Sequence, residues 1–486
     1  MAGRRVALVF PRVRYRAGDP PLGIAYLAAA LRRARPALDV RILDGTFLGD
    51  EHRLLAAVRS ASADVVGVFV DSLMVPIARR VAGVARRSGA VVVAGGPHAS
   101  VAPEQLVPDF DAVLCGEGEL LVPDLVDRAL ARAPFGDLPN LVIPGPDGGP
   151  PIATVTTPAR PVLDDLPFPA WDLLEMDRYV RLWPYLDCID VSTPGTDLVG
   201  SRGCPWSCTY CQPTLRSLFG RQVRRRSPES IVAEIEALQN AYGVRGVFFH
   251  DDTIAAHRRW LLSLCDALGR MEKPVLWGCN SRVDVLDEDL VDAMVTAGMR
   301  SIHLGIESGS RRVREDVLDK HVDVDRLVPL LEHLRRRGAH ALGFFMLGSP
   351  TESVGEMLQT IALASRLRLT EATFSLTSVL PGTRLHDRVS GDDRFVLHDG
   401  HTAVRGAPED EPIDYYSARN FEDRTSPVGA RTLRTLQLGA LLAFYGHPYR
   451  ADYLLRHLTS RRGLVKLAMK AARFVKPLAR LLPGAE

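Results

Sequence analysis

The sequence lacks any run near the roughly 18 consecutive apolar residues that a bilayer-spanning helix needs. It also lacks a dominant charge. Sixty Lys and Arg stand against 58 Asp and Glu, a net +2, so nothing in the balance calls for nucleic acid and none is expected as a partner. Cysteine is scarce and odd in number, seven in 486 residues, which excludes a disulfide-dense secreted scaffold and suits a reducing, cytoplasmic setting. Cys115, Cys188, Cys265 and Cys279 are scattered and read as ordinary buried or half-buried thiols. The opening MAGRRVALVF joins positive charge to an apolar run too short for a secretory signal core, and the charged, proline-bearing RVRYRAGDP follows directly. The expectation there is a first β-strand. With 46% apolar and 24% charged residues, the chain has the composition of a globular enzyme, and its length predicts two or three domains.

What is present is alternation. VALVF (6–10), VRILD (40–44), VVGVFV (65–70), VVVAGG (91–96) and AVLCGEGE (112–119) are separated by amphipathic stretches such as LGIAYLAAALRRA (22–34). β-branched runs alternating with helical patterns predict βαβ crossovers and a doubly wound parallel sheet, whose ligands sit at the carboxyl ends of the strands. Those ends carry Asp71-Ser72, Gly95-Gly96-Pro97-His98 and Gly116-Glu117-Gly118-Glu119, a ligand-facing rim. Residues 133–196 are rich in proline and glycine and read as a linker with a short structured end. From 197 to 385 the alternation resumes with about six βα units, enough for an incomplete (βα)6 barrel. The remaining 386–486 reads as a mainly helical C-terminal region. Its last stretch, TSRRGLVKLAMKAARFVKPLARLLPG, predicts a basic amphipathic helix packed on the protein, with weak association to a membrane surface or an acidic partner as the alternative.

The sharpest feature is SRGCPWSCTYCQP (201–213), which sets Cys204, Cys208 and Cys211 in C-x3-C-x2-C spacing at the end of the first strand of the second series. Structural zinc wants four ligands, commonly as two closely spaced pairs, and no second pair lies nearby. A redox pair of Cys208 and Cys211 leaves Cys204 without a role. A [4Fe–4S] cluster on three thiolates leaves one iron free to bind a small molecule.

With Tyr210 before the last cysteine, this spacing resembles the hallmark of the radical S-adenosylmethionine (SAM) superfamily. FFHDDT (248–253), NSRVD (280–284), HLGIESGS (303–310), GFFMLGSPTES (343–353) and LTSVLPGT (376–383) match it in order. The resemblance implies that Cys204, Cys208 and Cys211 hold the cluster, and that its open iron chelates the amino and carboxylate groups of SAM. It further implies hydrogen bonds to the amino group from Asp251 and Asp252, ribose or methionine contacts from Glu307 and Ser308, and a pocket lined by Asn280 and Arg282. The backbone around Tyr210 and Leu380 to Gly382 would hold adenine. A reducing partner such as flavodoxin or ferredoxin is implied as well.

The N-terminal text PLGIAYLAAALR (21–32), VRILDG (40–45), GGPHAS (95–100) and CGEGE (115–119), with PFPAWDLL (167–174), resembles the cobalamin (B12)-binding domain often fused ahead of this barrel. The implied division is a Rossmann-like B12 domain over 1–132, the 133–196 linker, a radical SAM partial barrel over 197–385, and the 386–486 region. Many such domains carry D-x-H-x-x-G, whose histidine ligates cobalt. Here Asp44-Gly-Thr46-Phe-Leu-Gly49 has threonine at that place, and His98 belongs to the glycine-rich rim. The expectation is therefore base-off cobalamin without a histidine ligand, contacted by Asp71, Ser72, Gly95, Gly96 and Glu117.

Together the two resemblances imply a cobalamin-dependent radical SAM enzyme. One SAM would methylate Co(I), a second would yield a 5′-deoxyadenosyl radical, and the substrate radical would take methyl from cobalt. The expected outcome is methylation of an unactivated carbon in a small-molecule or lipid-like natural product, with both cofactors facing one cavity. Radical cyclisation, rearrangement or C–C bond formation on the same modules is the enzymatic alternative, and a degenerate scaffold or sensor the non-enzymatic one.

Overall fold

A computed structural model describes residues 3–13, 18–72, 74–157, 160–185, 193–211, 218–380, 382–390, 426–461 and 463–467. The chain divides into two units. One contains Met1–Arg178 together with Gln212–Arg226, and the other contains Tyr179–Cys211 and Ser227–His398 with most of the C-terminal region.

In the first unit the valine-rich runs become β1 (Arg5–Phe10), β2 (Asp39–Asp44), β3 (Val65–Phe69), β4 (Val91–Gly95) and β5 (Ala112–Leu114). They pair in parallel in the order β2-β1-β3-β4-β5. Helices α1 (Leu22–Ala34), α2 (Glu51–Ala61), α3 (Val75–Arg87), α4 (Pro97–Val101) and α5 (Val122–Leu130) connect or follow them. Central strands buried on both faces explain why their sequences read as continuous apolar runs. The expected linker contributes more than a connection. Leu141–Ile143 (β6) and Ile152–Ala153 (β7) extend the same sheet in antiparallel pairing. Strands of three and two residues are too short to show a period of two, so the proline and glycine around them dominated the pattern.

The second unit holds a six-stranded parallel sheet of β8 (Gly195–Leu198), β9 (Gly246–Phe249), β10 (Leu276–Ser281), β11 (Met299–Glu307), β12 (His340–Leu347) and β13 (Glu371–Leu376). They neighbour one another in strict chain order, as a partial (βα)6 barrel requires. The crossovers are α6 (Pro228–Tyr242), α7 (Arg258–Gly269), α8 (Glu288–Thr296), α9 (Leu327–Arg336) and α10 (Val354–Arg366). Their starts are written in the sequence. Ser227 caps α6 with proline at its first position, Asp287 caps α8, and Ser353 with Glu356 forms a reciprocal capping box on α10.

Beyond β13 lie α11 (Arg384–Val389), α12 (Ala430–Tyr445) and α13 (Ala451–Leu458). Arg450 is buried against the α10 end, donating to the carbonyls of Ala364, Ser365 and Leu367, so a side chain satisfies groups that a helix terminus leaves open. Lys466, part of the predicted basic face, is instead buried and 3.5 Å from Glu371 at the start of β13. The rest of the basic stretch from 468 onward, the 391–425 part of the C-terminal loop, and Cys188 lie outside the described residues. No helix among the described residues is long and apolar enough to cross a membrane.

Candidate active site around the three-cysteine loop

The loop after β8 is fastened by its backbone. Thr209 is fully buried; its N–H donates to Leu318 O at 2.9 Å and its hydroxyl to Val317 O at 2.6 Å, while its own carbonyl accepts from Leu385 N at 2.9 Å. Arg384 reaches Ser207 O at 2.8 Å. These anchors lie on the segments after β11 and β13, so three distant parts of the chain fix the cysteines. All three thiols are half-buried and unbonded to one another. Burial pushes Cys204 up and Cys211 up to about 12, and the neighbouring cysteines add to both shifts. Thiols this hard to ionise become thiolates when a metal centre supplies the compensating charge. Among the described residues no three His, Cys, Asp or Glu side chains converge as one mononuclear ion demands. Three thiols within one eight-residue loop fit a polynuclear iron–sulfur cluster with one open iron.

Tyr210 leads to a second group of residues. Its hydroxyl donates to Glu307 Oε1 at 2.8 Å, and Lys320 Nζ reaches the same oxygen at 2.7 Å and the Tyr210 oxygen at 3.2 Å. Glu307 and Lys320 are both buried, so each supplies the other's counter-charge. Burial, then Glu307, pushes the Tyr210 phenol well above its usual range, which keeps it a proton donor. Glu307 sits at φ +66°, just after the β11–β12 register slips between Gly305 and Glu307. Such a bulge re-aims a side chain at a strand end, and a non-glycine residue at positive φ there is held by its surroundings. Ser308 is buried differently from expectation, since its hydroxyl is taken by Thr360 at 3.1 Å and by the Ser310 N–H at 3.1 Å. It braces the turn.

The two expected aspartates divide their work. Asp251 accepts from Gly200 N at 2.7 Å and Ser201 Oγ at 2.5 Å, tying β9 to the start of the cysteine loop, and its carbonyl accepts from Asn280 Nδ2 at 3.4 Å. Asp252 has the Gly203 N–H and faces the field of Cys204 and Cys211; burial, then Asp251, raises its carboxyl to about 7. Asp252 is the carboxylate still able to take a ligand's ammonium. Arg282 does not merely line a pocket: it donates to Cys208 Sγ at 3.4 Å. Leu380 is half-buried, and its carbonyl is held by Thr383 Oγ1 at 2.7 Å at the end of the last barrel strand.

The sheet surface beside these residues is lined by rings. Phe248 lies 4.6 Å from His303, and His303 lies 5.7 Å from Phe344, centre to centre. His250 Nε2 stands 3.1 Å from Asp197, whose other oxygen accepts from the Trp183 indole at 2.8 Å. Lys320 and Asp197 carried no motif that sequence reasoning could seize, and His303 was visible only as the first residue of HLGIESGS. His250 was visible only as the residue before Asp251.

In the first unit the strand-end rim behaves unevenly. Asp71 accepts from Met74 N at 2.8 Å, just ahead of α3. Ser72 bonds His98 Nδ1 at 3.1 Å, and His98 Nε2 meets Gln105 at 3.0 Å, so both ring nitrogens of this fully buried histidine are engaged. A ring so occupied is not disposed to ligate cobalt. Thr46 is buried and accepts from Arg12 at 3.0 Å. Glu117, expected as a corrin contact, is paired with Arg224 at 2.5 Å and has Arg160 at 3.8 Å. What remains open is backbone. A Cβ on Gly95 would meet nothing within 4 Å, while Gly96 holds φ +109° and a Cβ there would stand 3.0 Å from Val70 O. Open space over the strand-end Gly95 suits a large cofactor that approaches the main chain closely, as cobalamin does.

Comparison with known proteins agrees with this geometry. Residues 198–364 match the profile described as the radical SAM superfamily, and residues 16–126 that described as the B12 binding domain. An uncharacterized methyltransferase of Pyrococcus horikoshii is 31% identical over 378 residues, covering 75% of this chain and 77% of that protein. The cytidylyl-2-hydroxyethylphosphonate methyltransferase of Streptomyces wedmorensis is 28% identical over 427 residues, covering 77% and 78%. Among solved structures, the radical SAM methyltransferase TsrM of Kitasatospora setae superposes with a TM-score of 0.65 at 20% identity, covering 80% of this chain and 76% of that one, a likeness of fold. The chain belongs to the radical SAM superfamily, with a B12-binding domain preceding its radical SAM domain, and is a cobalamin-dependent radical SAM enzyme whose cofactors are a [4Fe–4S] cluster, SAM and cobalamin.

Proposed function

We propose that this enzyme methylates an unactivated carbon of a small-molecule or lipid-like natural product. The observation that carries the reading is the fastened, three-thiol loop beside the Tyr210–Glu307–Lys320 group, in a chain whose relatives above are methyltransferases. When bound, the cluster and SAM supply a hydrogen-abstracting radical and cobalamin supplies the methyl group.

The chain's own residues supply placement. Cys204, Cys208 and Cys211 would hold the cluster, which with three protein thiolates keeps a place for SAM. Asp252, poised near neutrality, receives the ammonium of SAM, and Asp251 fixes the loop that presents it. Glu307, oriented by Lys320 and Tyr210, takes a hydroxyl of the ribose or a methionine group. Asn280, Ser308 and the Leu380 turn shape the pocket, while the packed rings of Phe248, His303 and Phe344 stiffen the sheet. Asp71, Ser72, Gly95, Gly96 and Glu117 form the cobalamin rim, the glycines in contact and the others bracing. A flavodoxin- or ferredoxin-class donor supplies the electron.

The test is anaerobic reconstitution with isotopically labelled SAM and candidate substrates. Labelled methyl in the product, with both deoxyadenosine and S-adenosylhomocysteine, is the expected result. A product formed with deoxyadenosine but no S-adenosylhomocysteine would replace methyl transfer by cyclisation or rearrangement.

A further inference from the structure

Arg282 follows β10, and its side chain is buried. Burying a cation costs several kcal/mol unless it is paired, and here three groups hold it. Nε and Nη2 donate to the two oxygens of Asp284 at 2.9 and 3.0 Å. The guanidinium carbon lies 4.6 Å from the Trp206 ring centre. Nη1 points at Cys208 Sγ, 3.4 Å away. Trp206 and Cys208 belong to one loop, Arg282 and Asp284 to another, so the contact clamps the two together. The planar fork satisfies Asp284 on one edge and the sulfur on another, a geometry that lysine cannot reproduce. Asp284 lies on the far edge from the sulfur, so the positive end of the pair faces Cys208.

We infer that Arg282 is a redox-tuning residue, raising the reduction potential of the cluster through Cys208. A hydrogen bond to a ligating sulfur and a nearby fixed cation both stabilise the more negative state of an iron–sulfur centre. Arginine stays protonated throughout, so the effect persists across the working pH range. The step it assists is a one-electron transfer. A flavodoxin- or ferredoxin-class donor is oxidised and the cluster gains one negative charge; no bond breaks and no proton moves. The inference rests on Cys204, Cys208 and Cys211 holding the cluster, not on methyl transfer, so a failure of the methylation reading leaves it standing.

The test is an anaerobic redox titration of the reconstituted full chain, without SAM or substrate, followed by electron paramagnetic resonance. Arg282→Gln is expected to make reduction about tenfold less favourable, a shift of ~59 mV to more negative potential. Arg282→Lys, which keeps the charge and loses the fork, is expected between the two. An unchanged or more positive potential in Arg282→Gln, at wild-type iron content, overturns the inference. If Arg282→Gln does not assemble a full cluster, Arg282→Lys and Trp206→Leu decide. The latter keeps every charge and frees the guanidinium from its stack. A more negative potential in both supports the inference, and wild-type potentials in both overturn it.

Discussion

Replacing Asp252 by Asn is expected to stabilise the cofactor-free protein while weakening SAM binding. Its carboxyl is raised from 3.8 to about 7, chiefly by burial and then by Asp251. A shift of about 3 units corresponds to ~4 kcal/mol of penalty on the ionised native form, and water at the half-buried group screens this to roughly 2 kcal/mol. The sign follows from proton counts. Between about pH 4 and pH 7 the native state keeps a proton that the unfolded chain has lost, so this group's contribution falls as pH rises and is gone above about pH 7. Asparagine carries no such dependence. Urea unfolding of the cofactor-free chain is followed by tryptophan fluorescence, and four of the five tryptophans lie in the second unit. The variant should exceed wild type by roughly 2 kcal/mol at about pH 8 and by clearly less near pH 5, the two matching only below about pH 4. A variant-minus-wild-type difference that is the same at both pH values refutes the argument. On the role proposed for Asp252 as acceptor of the SAM ammonium, the same change should weaken SAM binding by the loaded enzyme by about tenfold, the worth of one charge-assisted hydrogen bond.

Cys208→Ala should reduce iron content to less than about a tenth of wild type and abolish deoxyadenosine and S-adenosylhomocysteine together, since two thiolates do not retain a site-differentiated cluster; iron analysis and chromatography check it. Gly96→Ala places a Cβ 3.0 Å from Val70 O at φ +109°. It should cost ~1–3 kcal/mol and lower cobalamin retention on gel filtration, read by absorbance. Lys320→Met strands the buried Glu307 and should cost about 3–5 kcal/mol of stability, whereas Lys320→Met with Glu307→Gln recovers most of it. Thermal unfolding of the single and double variants decides that.

Much of the second unit was legible. The βα alternation expected from 197 onward forms, and caps such as Ser227, Asp287 and Ser353 mark the starts of α6, α8 and α10. The strands β6 and β7 within the expected linker were not legible, because they are too short for periodicity to register. Site residues were legible only where a motif named their position. Lys320 lies thirteen residues from Glu307 in an unremarkable stretch, and Asp197 is fifty-three residues from His250. Glu117 read as a ligand contact because a strand-end carboxylate looks available until Arg224 is found against it.

The sequence by itself pointed to the chemistry: C-x3-C-x2-C spacing is a local property that sets three thiols in one strand-end loop, which distant segments then fasten. It also determined the α/β class, because buried parallel strands and capped helices leave periodic signals within one segment. The tertiary structure decided which polar groups are spent and which remain available. Asp251 and Asp252 are adjacent and chemically identical, yet one is consumed by Gly200 and Ser201 and the other is left near neutrality. His98 is tied at both nitrogens, and Arg282 is turned onto a cysteine. Hydrogen-bond partners and burial come from segments tens of residues apart, so only the folded chain could assign them.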